Sequence, residues 1–290
     1  MANLKEVRTR IGSVSSTQQI TSAMKMVSAA KFRRAQNAIL GMRPYSAQLN
    51  EIMNDIDVED GVVTPYHDNR KLESVLLVVV TSNKGLCGAF NSNVIKEATA
   101  RVNHYTNEEK VADLQMITIG KRATEFFGKR KVNVVGSHDE LLDKPLFDAI
   151  ATLADSVMQS FCDKKYDRVE LIYNQFKNSL VQILSTEQFL PVVPKSAASV
   201  TSKRNDYIYE PSKMEILREM VPLTLRSHFY RVILDSLAAE HGARMNAMQK
   251  ATDNATELLK ELKLSYNKAR QAAITNEIIE IVSGSEALKG

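Results

Sequence analysis

The last quarter of the chain, from Pro222 to Ser283, most constrains what this sequence can fold into. These 62 residues contain no further proline and only one glycine, Gly242, so nothing in the local chemistry obliges a helix to stop. At about 1.5 Å of rise per residue the helix is on the order of 93 Å long, whereas a compact globule of 290 residues has a radius of gyration of about 19 Å. The segment therefore predicts a helix that projects far beyond any globular body to which it is attached.

Residues at heptad spacing form a stripe along this helix. Alternating steps of three and four residues predict a coiled-coil seam at Met245, Met248, Thr252, Ala255, Leu259, Leu262, Tyr266, Ala269 and Ala273. An amphipathic helix of this kind is poorly stable alone in water, so it needs a partner that covers the seam.

The segment from Asn3 to about Asp57 consists mainly of helix formers and offers that partner. The same spacing recurs in it and turns polar at its end, in the order Leu4, Val7, Ile11, Val14, Gln18 and Thr21. Gly41 and Pro44 predict a break or kink late in this helix. We expect the two terminal helices to pair as an antiparallel coiled coil, with the longer C-terminal helix overhanging.

In the middle of the chain, patterns typical of strands alternate with patterns typical of helices. The predicted strands are Ser74–Thr81, Leu114–Ile119, Val132–Val135, Arg168–Asn174 and Val181–Ser185, and the predicted helices are Asn91–Tyr105, Lys121–Gly128 and Pro145–Lys164. Alternation of this kind predicts a central Rossmann-like α/β domain on a mostly parallel sheet that ends in a hairpin-like pair. We expect domain boundaries of 1–57 for the N-terminal helix, 58–210 for the α/β domain and 211–290 for the C-terminal helix.

The composition is that of an ordinary soluble protein, with 44% hydrophobic and 25% charged residues. No run of 18 apolar residues occurs and the first residues lack an apolar signal core, so we expect neither membrane insertion nor secretion. Cys87 and Cys162 are far apart and form no metal-binding spacing, which fits a reducing compartment.

The net charge of +4 conceals an asymmetry along the chain. Residues 1–45 carry eight basic side chains against Glu6 alone, which makes this segment +7 and the remainder −3. Two interpretations stay open, a surface for an acidic partner and a solvated basic helix face.

The turn after the first predicted strand, S-N-K-G-L-C-G-A-F-N at Ser82–Asn91, is the best candidate for a phosphate-binding loop. It matches neither G-x-x-x-x-G-K-[ST] nor G-x-G-x-x-G, and no acidic residue follows at the ribose-binding distance. We favour a tight turn in which Gly85 and Gly88 adopt positive φ. Cys87, beside a possible helix start, is only a candidate for a slightly activated thiol.

Metal and nucleophile patterns are also missing. No metal-ligand spacing relates the five histidines, His67, His104, His138, His228 and His241. No Ser-His-Asp or Cys-His set is defensible from the sequence. We therefore expect no catalytic, cofactor-binding or metal-binding site.

Four stretches carry a resemblance to a known family. They read I-T-S-A-M-K-M-V-S-A-A-K-F-R-R-A-Q at Ile20–Gln36, G-L-C-G-A-F-N at Gly85–Asn91, A-R-M-N-A-M-Q-K-A-T-D-N-A at Ala243–Ala255 and Y-N-K-A-R-Q-A-A-I-T-N-E-I-I-E-I-V-S-G at Tyr266–Gly284. In order and spacing they resemble the bacterial type of gamma subunit of the F-type ATP synthase. Asn83 and Lys84 depart from that family's usual Asp-Arg, which weakens any role assigned to the first turn.

The resemblance implies a rotor shaft without a catalytic site of its own, on the cytoplasmic face of the bacterial inner membrane. Its implied partners are a ring of alpha and beta subunits, the epsilon subunit and the membrane c-ring, with no nucleic acid, no membrane insertion and no second copy. Contacts with the catch loop and lever of beta are implied for Arg270, Gln271, Met24, Lys25 and Arg244. Contacts with epsilon and the c-ring are implied for Asp206, Tyr207, Ile208, Tyr209 and Glu210, and a bearing tip for Ile278, Ile281, Val282 and Leu288.

Two alternatives come from other classes of protein. A basic antiparallel coiled coil on an α/β body also suits a nucleic-acid-binding arm, but aromatic residues make up 6% of the chain with no Trp to form a stacking platform. A coiled-coil nucleotidase is disfavoured because the phosphate-loop lysine is missing.

Overall fold

The computed structural model describes residues 4–60, 64–130, 132–192, 210 and 212–287. By its internal contacts the chain divides into two compact units. Residues 29–244 form one, here called the α/β body, and residues 1–28 with 245–290 form the other, here called the coiled-coil unit. The expected domain boundaries near residues 57 and 211 both lie inside the α/β body.

Two long helices carry most of the chain outside the sheet. Helix α1 spans Leu4–Asp60 and is continuous through Pro44, so the predicted break there is wrong. The last helix spans Lys213–Ala287, so it begins nine residues before Pro222 and includes this proline. Pro222 removes one backbone hydrogen bond from the helix, and burial of Leu217 and Val221 in the core offsets that loss.

The α/β body is built on one sheet of five strands in the order β3-β2-β1-β4-β5. Strands β1 to β4 are parallel and β5 pairs antiparallel with β4, which confirms the mostly parallel sheet and the terminal hairpin. The strands are β1 Ser74–Val80, β2 Asp113–Ile119, β3 Asn133–Ser137, β4 Arg168–Phe176 and β5 Gln182–Leu190. Strand β5 continues five residues beyond the predicted end at Ser185, and its last two residues, Phe189 and Leu190, are buried in the core.

Helices cover both faces of this sheet. They are α2 Phe90–Asn103, α3 Lys121–Phe127, α4 Phe147–Cys162 and the last helix, Lys213–Ala287, which is α5. A π-helical turn, His104–Glu108, follows α2, and short 3₁₀ turns occupy Pro65–His67 and Asp139–Leu142. Helices α2 and α3 pack on one face, while α4 and the first part of α5 pack on the other. Strand β1, S-V-L-L-V-V-V, is buried on both faces, as expected for a central parallel strand.

The coiled-coil unit confirms the predicted seam. From Ala255 to Ala273 the only residues that are not exposed are the six predicted seam positions, Ala255, Leu259, Leu262, Tyr266, Ala269 and Ala273. Gln18 donates to the Thr256 hydroxyl at 2.7 Å, and the Thr252 hydroxyl donates to that of Thr21 at 2.9 Å. Because the earlier residue of α1 meets the later residue of α5, the pairing is antiparallel.

Candidate functional site

The turn between β1 and α2 is a rigid, internally bonded structure. Asn91 accepts a hydrogen bond from the Ser82 backbone at 3.0 Å, and its amide donates to the Cys87 sulfur at 3.1 Å. Positive φ angles occur at Leu86, 63°, and Gly88, 60°, so the expected positive φ at Gly85 is wrong. Gly85 is instead confined by space, because a Cβ there would lie 3.1 Å from the Arg122 guanidinium.

Cys87 does not have the environment of an activated thiol. Its side chain is buried beside Phe90 and Ala239. Burial raises the pKa of the Cys87 thiol, and this effect exceeds the opposite influence of the Ser82 hydroxyl and Arg244. Cys87 is therefore not the slightly activated thiol for which it was a candidate.

Arg244 holds this turn from the side of α5. Its guanidinium donates to the carbonyl oxygens of Lys84 at 2.6 Å and Gly85 at 3.2 Å, and it pairs with the Glu240 carboxylate at 2.6 Å. Arg244 is 7% exposed, so its donors are used inside the chain and are shielded from solvent. Most of its donors therefore face the chain itself and not a partner surface.

A neutral histidine lies beside this ion pair. The Arg244 guanidinium is 3.4 Å from Nδ1 of His241, which must act as the acceptor because arginine only donates. Burial, and then the charges of Arg244 and Lys31, lower the pKa of His241 to about 4. His241 is therefore uncharged at neutral pH.

Helix α5 fills the place where ligands bind in many sheets of this kind. Open parallel sheets bind ligands at the point where the strand order reverses, which is here between the carboxyl ends of β1 and β4. Cys87, Phe90, Phe176, Ala239 and Ala243 pack together at these strand ends. The crevice is therefore occupied by apolar side chains of the chain itself.

An open groove lies on the α2 and α3 side of the same turn. Its volume is about 680 Å³, and its charged side chains are Arg122, Glu125, Lys129 and Arg130. Arg122 is already paired with Glu125 at 3.1 Å, and Arg130 lies over the Phe126 ring at 4.1 Å. No set of three His, Cys, Asp or Glu side chains in the described ranges is grouped as a metal site.

The implied contact residues of the shaft lie on the coiled-coil unit. Arg270 and Gln271 are exposed, between the seam positions Ala269 and Ala273. Met24 and Lys25 are half-buried on α1. Beyond Ala273 every described side chain of α5 is exposed, among them Ile278, Ile281 and Val282 at 56%, 71% and 52%. Leu288 lies outside the described residues.

Most of the residues implied to contact epsilon and the c-ring lie outside the described part of the chain. Asp206, Tyr207, Ile208 and Tyr209 lie outside the described residues, and Glu210 is exposed. In the part of the chain that the structure describes, no helix is both long and apolar enough to cross a membrane.

A half-buried polar cluster around Glu187 was missed from the sequence. Glu187 on β5 is bonded to Tyr173 on β4 and to His228 and Arg231 on α5. No local pattern could have found it, because its members come from three elements and share no spacing.

Comparisons with known proteins agree with this architecture. A family described as ATP synthase matches residues 3–288. The chain is 53% identical over 292 residues to the ATP synthase gamma chain of Flavobacterium johnsoniae, with 100% of both chains covered. It is 41% identical over 298 residues to the ATP synthase gamma chain of Bdellovibrio bacteriovorus, also with 100% of both covered.

Two solved structures have a similar fold. One is a chain of the Euglena gracilis mitochondrial ATP synthase, OSCP/F1/c-ring, with a TM-score of 0.67, 21% identity and coverage of 98% of this chain and 94% of that one. The other comes from the central stalk/c-ring of the Tetrahymena thermophila mitochondrial ATP synthase, with a TM-score of 0.57, 24% identity and coverage of 80% and 99%. With a family match over nearly the whole length and full-length relatives above 40% identity, the chain belongs to the ATP synthase gamma chain family.

Proposed function

We propose that this chain is the central rotor shaft of a bacterial F-type ATP synthase. The observation that carries the proposal is the coiled-coil unit, in which α5 continues past its last seam position, Ala273, with every described side chain exposed. A long exposed helix end with large apolar residues needs surrounding protein to cover it. A ring of alpha and beta subunits supplies that cover.

The mechanism follows from the asymmetry of a single shaft. One two-helix rod cannot contact three identical beta subunits in the same way, so each beta subunit is held in a different conformation. A difference of a few kcal/mol in contact energy is enough to shift a subunit between two states. Rotation of the shaft, driven by the c-ring, passes each beta subunit through these states in turn, and ATP hydrolysis drives the reverse motion.

The contacts with beta fall on exposed and half-buried residues of the coiled-coil unit. Arg270 presents a planar fork of donors that matches a carboxylate, with Gln271 beside it. Met24 and Lys25 offer a second contact on α1. Ile278, Ile281 and Val282 form an apolar bearing surface, which allows turning because apolar contacts have no preferred direction.

The α/β body binds the epsilon subunit and the c-ring, with the segment from Asp206 to Glu210 as the contact. The protein is then peripheral to the cytoplasmic face of the inner membrane.

The chain has no active site of its own. The support for this part is the crevice at the ends of β1 and β4, which Phe90, Phe176 and Ala239 fill. A nucleotide would have to displace α5 to enter it.

Reconstitution tests the proposal. The purified chain should give no heat on calorimetric titration with Mg-ATP and no phosphate release, whereas adding alpha and beta subunits should produce turnover and rotation of a label on the α/β body. A reconstituted ring that hydrolyses ATP while the label stays fixed would contradict the rotor role. Stoichiometric ATP binding by the chain alone, abolished by Gly88→Val, would contradict the absence of a nucleotide site.

A further inference from the structure

Glu187 connects the edge hairpin of the sheet to helix α5. Its Oε1 accepts a hydrogen bond from the Tyr173 hydroxyl at 2.6 Å. Its Oε2 lies 2.9 Å from Nε2 of His228 and 3.4 Å from Nη2 of Arg231. Because a carboxylate only accepts, Nε2 of His228 carries the proton in this bond. One carboxylate therefore holds two side chains of α5.

The cluster is ionic and largely shielded from water. The side chains of Glu187, His228 and Arg231 are each about 27–31% exposed, and Arg231 also lies 3.6 Å from the carboxylate of Asp235, which is 7% exposed. Burial alone would raise the pKa of Glu187, but the bonds from His228 and Tyr173 and the charge of Arg231 lower it to about 2. The carboxylate is thus charged, and the bonds that it accepts are charge-assisted.

Three further polar links join the first part of α5 to other elements of the α/β body. The Tyr230 hydroxyl donates to the Pro145 carbonyl, just before α4, at 3.4 Å. Arg226 donates to the Asp155 carboxylate on α4 at 2.6 Å. Arg244 donates to the backbone of the turn between β1 and α2, at Lys84 and Gly85. With Glu187, these links hold α5 against α4, β5 and the first turn.

The four links hold α5 from opposite sides, with Tyr230 within about 40° of Arg226 around the helix. Arg226 and Arg244 are 18 residues apart, which is about five full turns, so they point to the same side of the helix. His228 and Arg231 are rotated from that side by roughly 200° and 140°. The links therefore oppose rotation of the helix in both directions.

Apolar packing fixes the rotation of α5 about its axis less tightly than the polar links do. Residues 232–240 of α5 are buried all around the helix, and Val232, Ile233 and Leu234 present side chains of similar size to three different sides. The total buried area therefore changes little when the helix turns slightly, although the interdigitated side chains resist that turn. Hydrogen bonds weaken steeply when their angle changes.

We propose that Glu187, His228 and Arg231, with Arg226 and Arg244 on the opposite side, fix the rotation of α5 about its own axis within the α/β body. This inference rests on the proposed rotor function, in which torque must pass between the body and α5. Glu187 is then a positioning residue whose loss makes that joint torsionally softer.

The test compares a polar and an apolar variant of matched stability. Glu187→Ala removes the central link, and Val232→Ala, or Ile233→Val if the loss is too large, removes only apolar packing. Urea denaturation of the chain selects the pair whose losses of stability agree. Each variant is assembled with alpha and beta subunits, the ring is arrested with a non-hydrolysable ATP analogue, and the angular fluctuations of a bead on the α/β body give the torsional stiffness.

Glu187→Ala should lower the stiffness by about one quarter, since one of four separated links is lost, while the apolar variant keeps the wild-type value. Equal softening in both variants, or none in Glu187→Ala, would overturn the proposal. If Glu187→Ala does not fold, His228→Leu takes its place, and His228→Gln, which keeps a donor, should restore the stiffness. A wild-type complex that hydrolyses ATP without turning the bead would overturn the rotor function itself, a result that the stiffness comparison cannot produce.

Discussion

The carbonyl oxygen of Ser179 lies 3.3 Å from the position that a Cβ atom on Gly242 would occupy. The tip of the β4–β5 hairpin thus packs directly on the backbone of α5, and the Phe32 ring closes the other side at 3.6 Å. A glycine inside a helix costs about 1 kcal/mol relative to alanine. The close approach of the hairpin is the physical reason for a glycine at this position.

Gly242→Leu should therefore destabilise the chain by about 1–3 kcal/mol, because the side chain must push the hairpin or Phe32 aside. Gly12→Leu is the matched control, since nothing lies within 4 Å of its Cβ position and the change should stabilise by up to about 1 kcal/mol. Urea denaturation of both variants measures the difference. Equal effects at the two positions would show that Gly242 is not confined.

The pair Arg270 and Gln271 should carry torque to the beta subunits. Changing both to Ala should leave assembly intact and slow ATP-driven rotation by about tenfold, which corresponds to a loss of about 1.4 kcal/mol from one charge-assisted contact. Asn267→Ala with Lys268→Ala, also exposed on α5, is the control. Normal turnover in an assembled complex that carries the changes at Arg270 and Gln271 would contradict their role in torque transfer.

The basic segment of α1 should increase the rate at which the chain associates with the alpha-beta ring. Lys31, Arg33 and Arg34 are all exposed, and exposed charges act mainly on association rates. Changing the three to Glu should slow association with the alpha-beta ring by about tenfold or more at low salt and flatten its salt dependence. Stopped-flow measurements at several salt concentrations test this.

The control for that experiment reverses the same amount of charge elsewhere. Lys121 on α3 and Lys144 and Lys164 beside the two ends of α4 are exposed, and their change to Glu should affect the association rate less. Equal slowing by both triple variants would mean that net charge alone is responsible and that the α1 residues form a solvated face.

His241 should make stability depend on pH. Its pKa falls from 6.5 to about 4 on folding, so between these values the unfolded chain binds more protons than the folded one. His241 alone should then make stability rise by on the order of 3 kcal/mol as pH increases from 4 to 6.5, while the raised pKa of the buried Glu240 acts in the opposite direction. Glu187, with a pKa of about 2, contributes only below about pH 4.5 and in the same direction as His241.

His241→Gln should flatten this slope, because glutamine can still accept from Arg244 but does not titrate. His104→Gln is the control, since His104 is 37% exposed and pairs with Glu108 at the surface, and the slope should persist in it. Denaturation midpoints at half-unit steps of pH give the comparison. If stability still rises with pH in His241→Gln, another titrating group is responsible for the slope.

The sequence was sufficient where periodicity governs structure. Seam positions from Met245 to Ala273 are set by heptad spacing, and β1 is set by a run of β-branched residues, so both could be predicted. Pro222 shows the limit of local rules. A proline predicts a boundary, yet the burial of Leu217 and Val221 in the core keeps the helix continuous.

The functional surfaces were harder to predict than the fold. Arg244 has the same local setting as other basic residues of α5, and only the path of the chain brings the carbonyl of Lys84 to 2.6 Å from it. The Glu187 cluster joins β4, β5 and α5, which no spacing in the sequence relates. Gly85 was predicted to need positive φ, but its constraint is the nearby Arg122 side chain, a tertiary contact.

The two hydrogen bonds across the coiled coil, from Gln18 to Thr256 and from Thr252 to Thr21, make one alignment of the helices unique. A seam of small residues such as Ala255 would tolerate sliding by one heptad with little change in buried area. Sliding would break both bonds between the helices, each of which contributes about 0.5–1.5 kcal/mol. The polar layer therefore works as a ruler that selects one heptad alignment, and so sets how many turns of α5 extend past the start of α1.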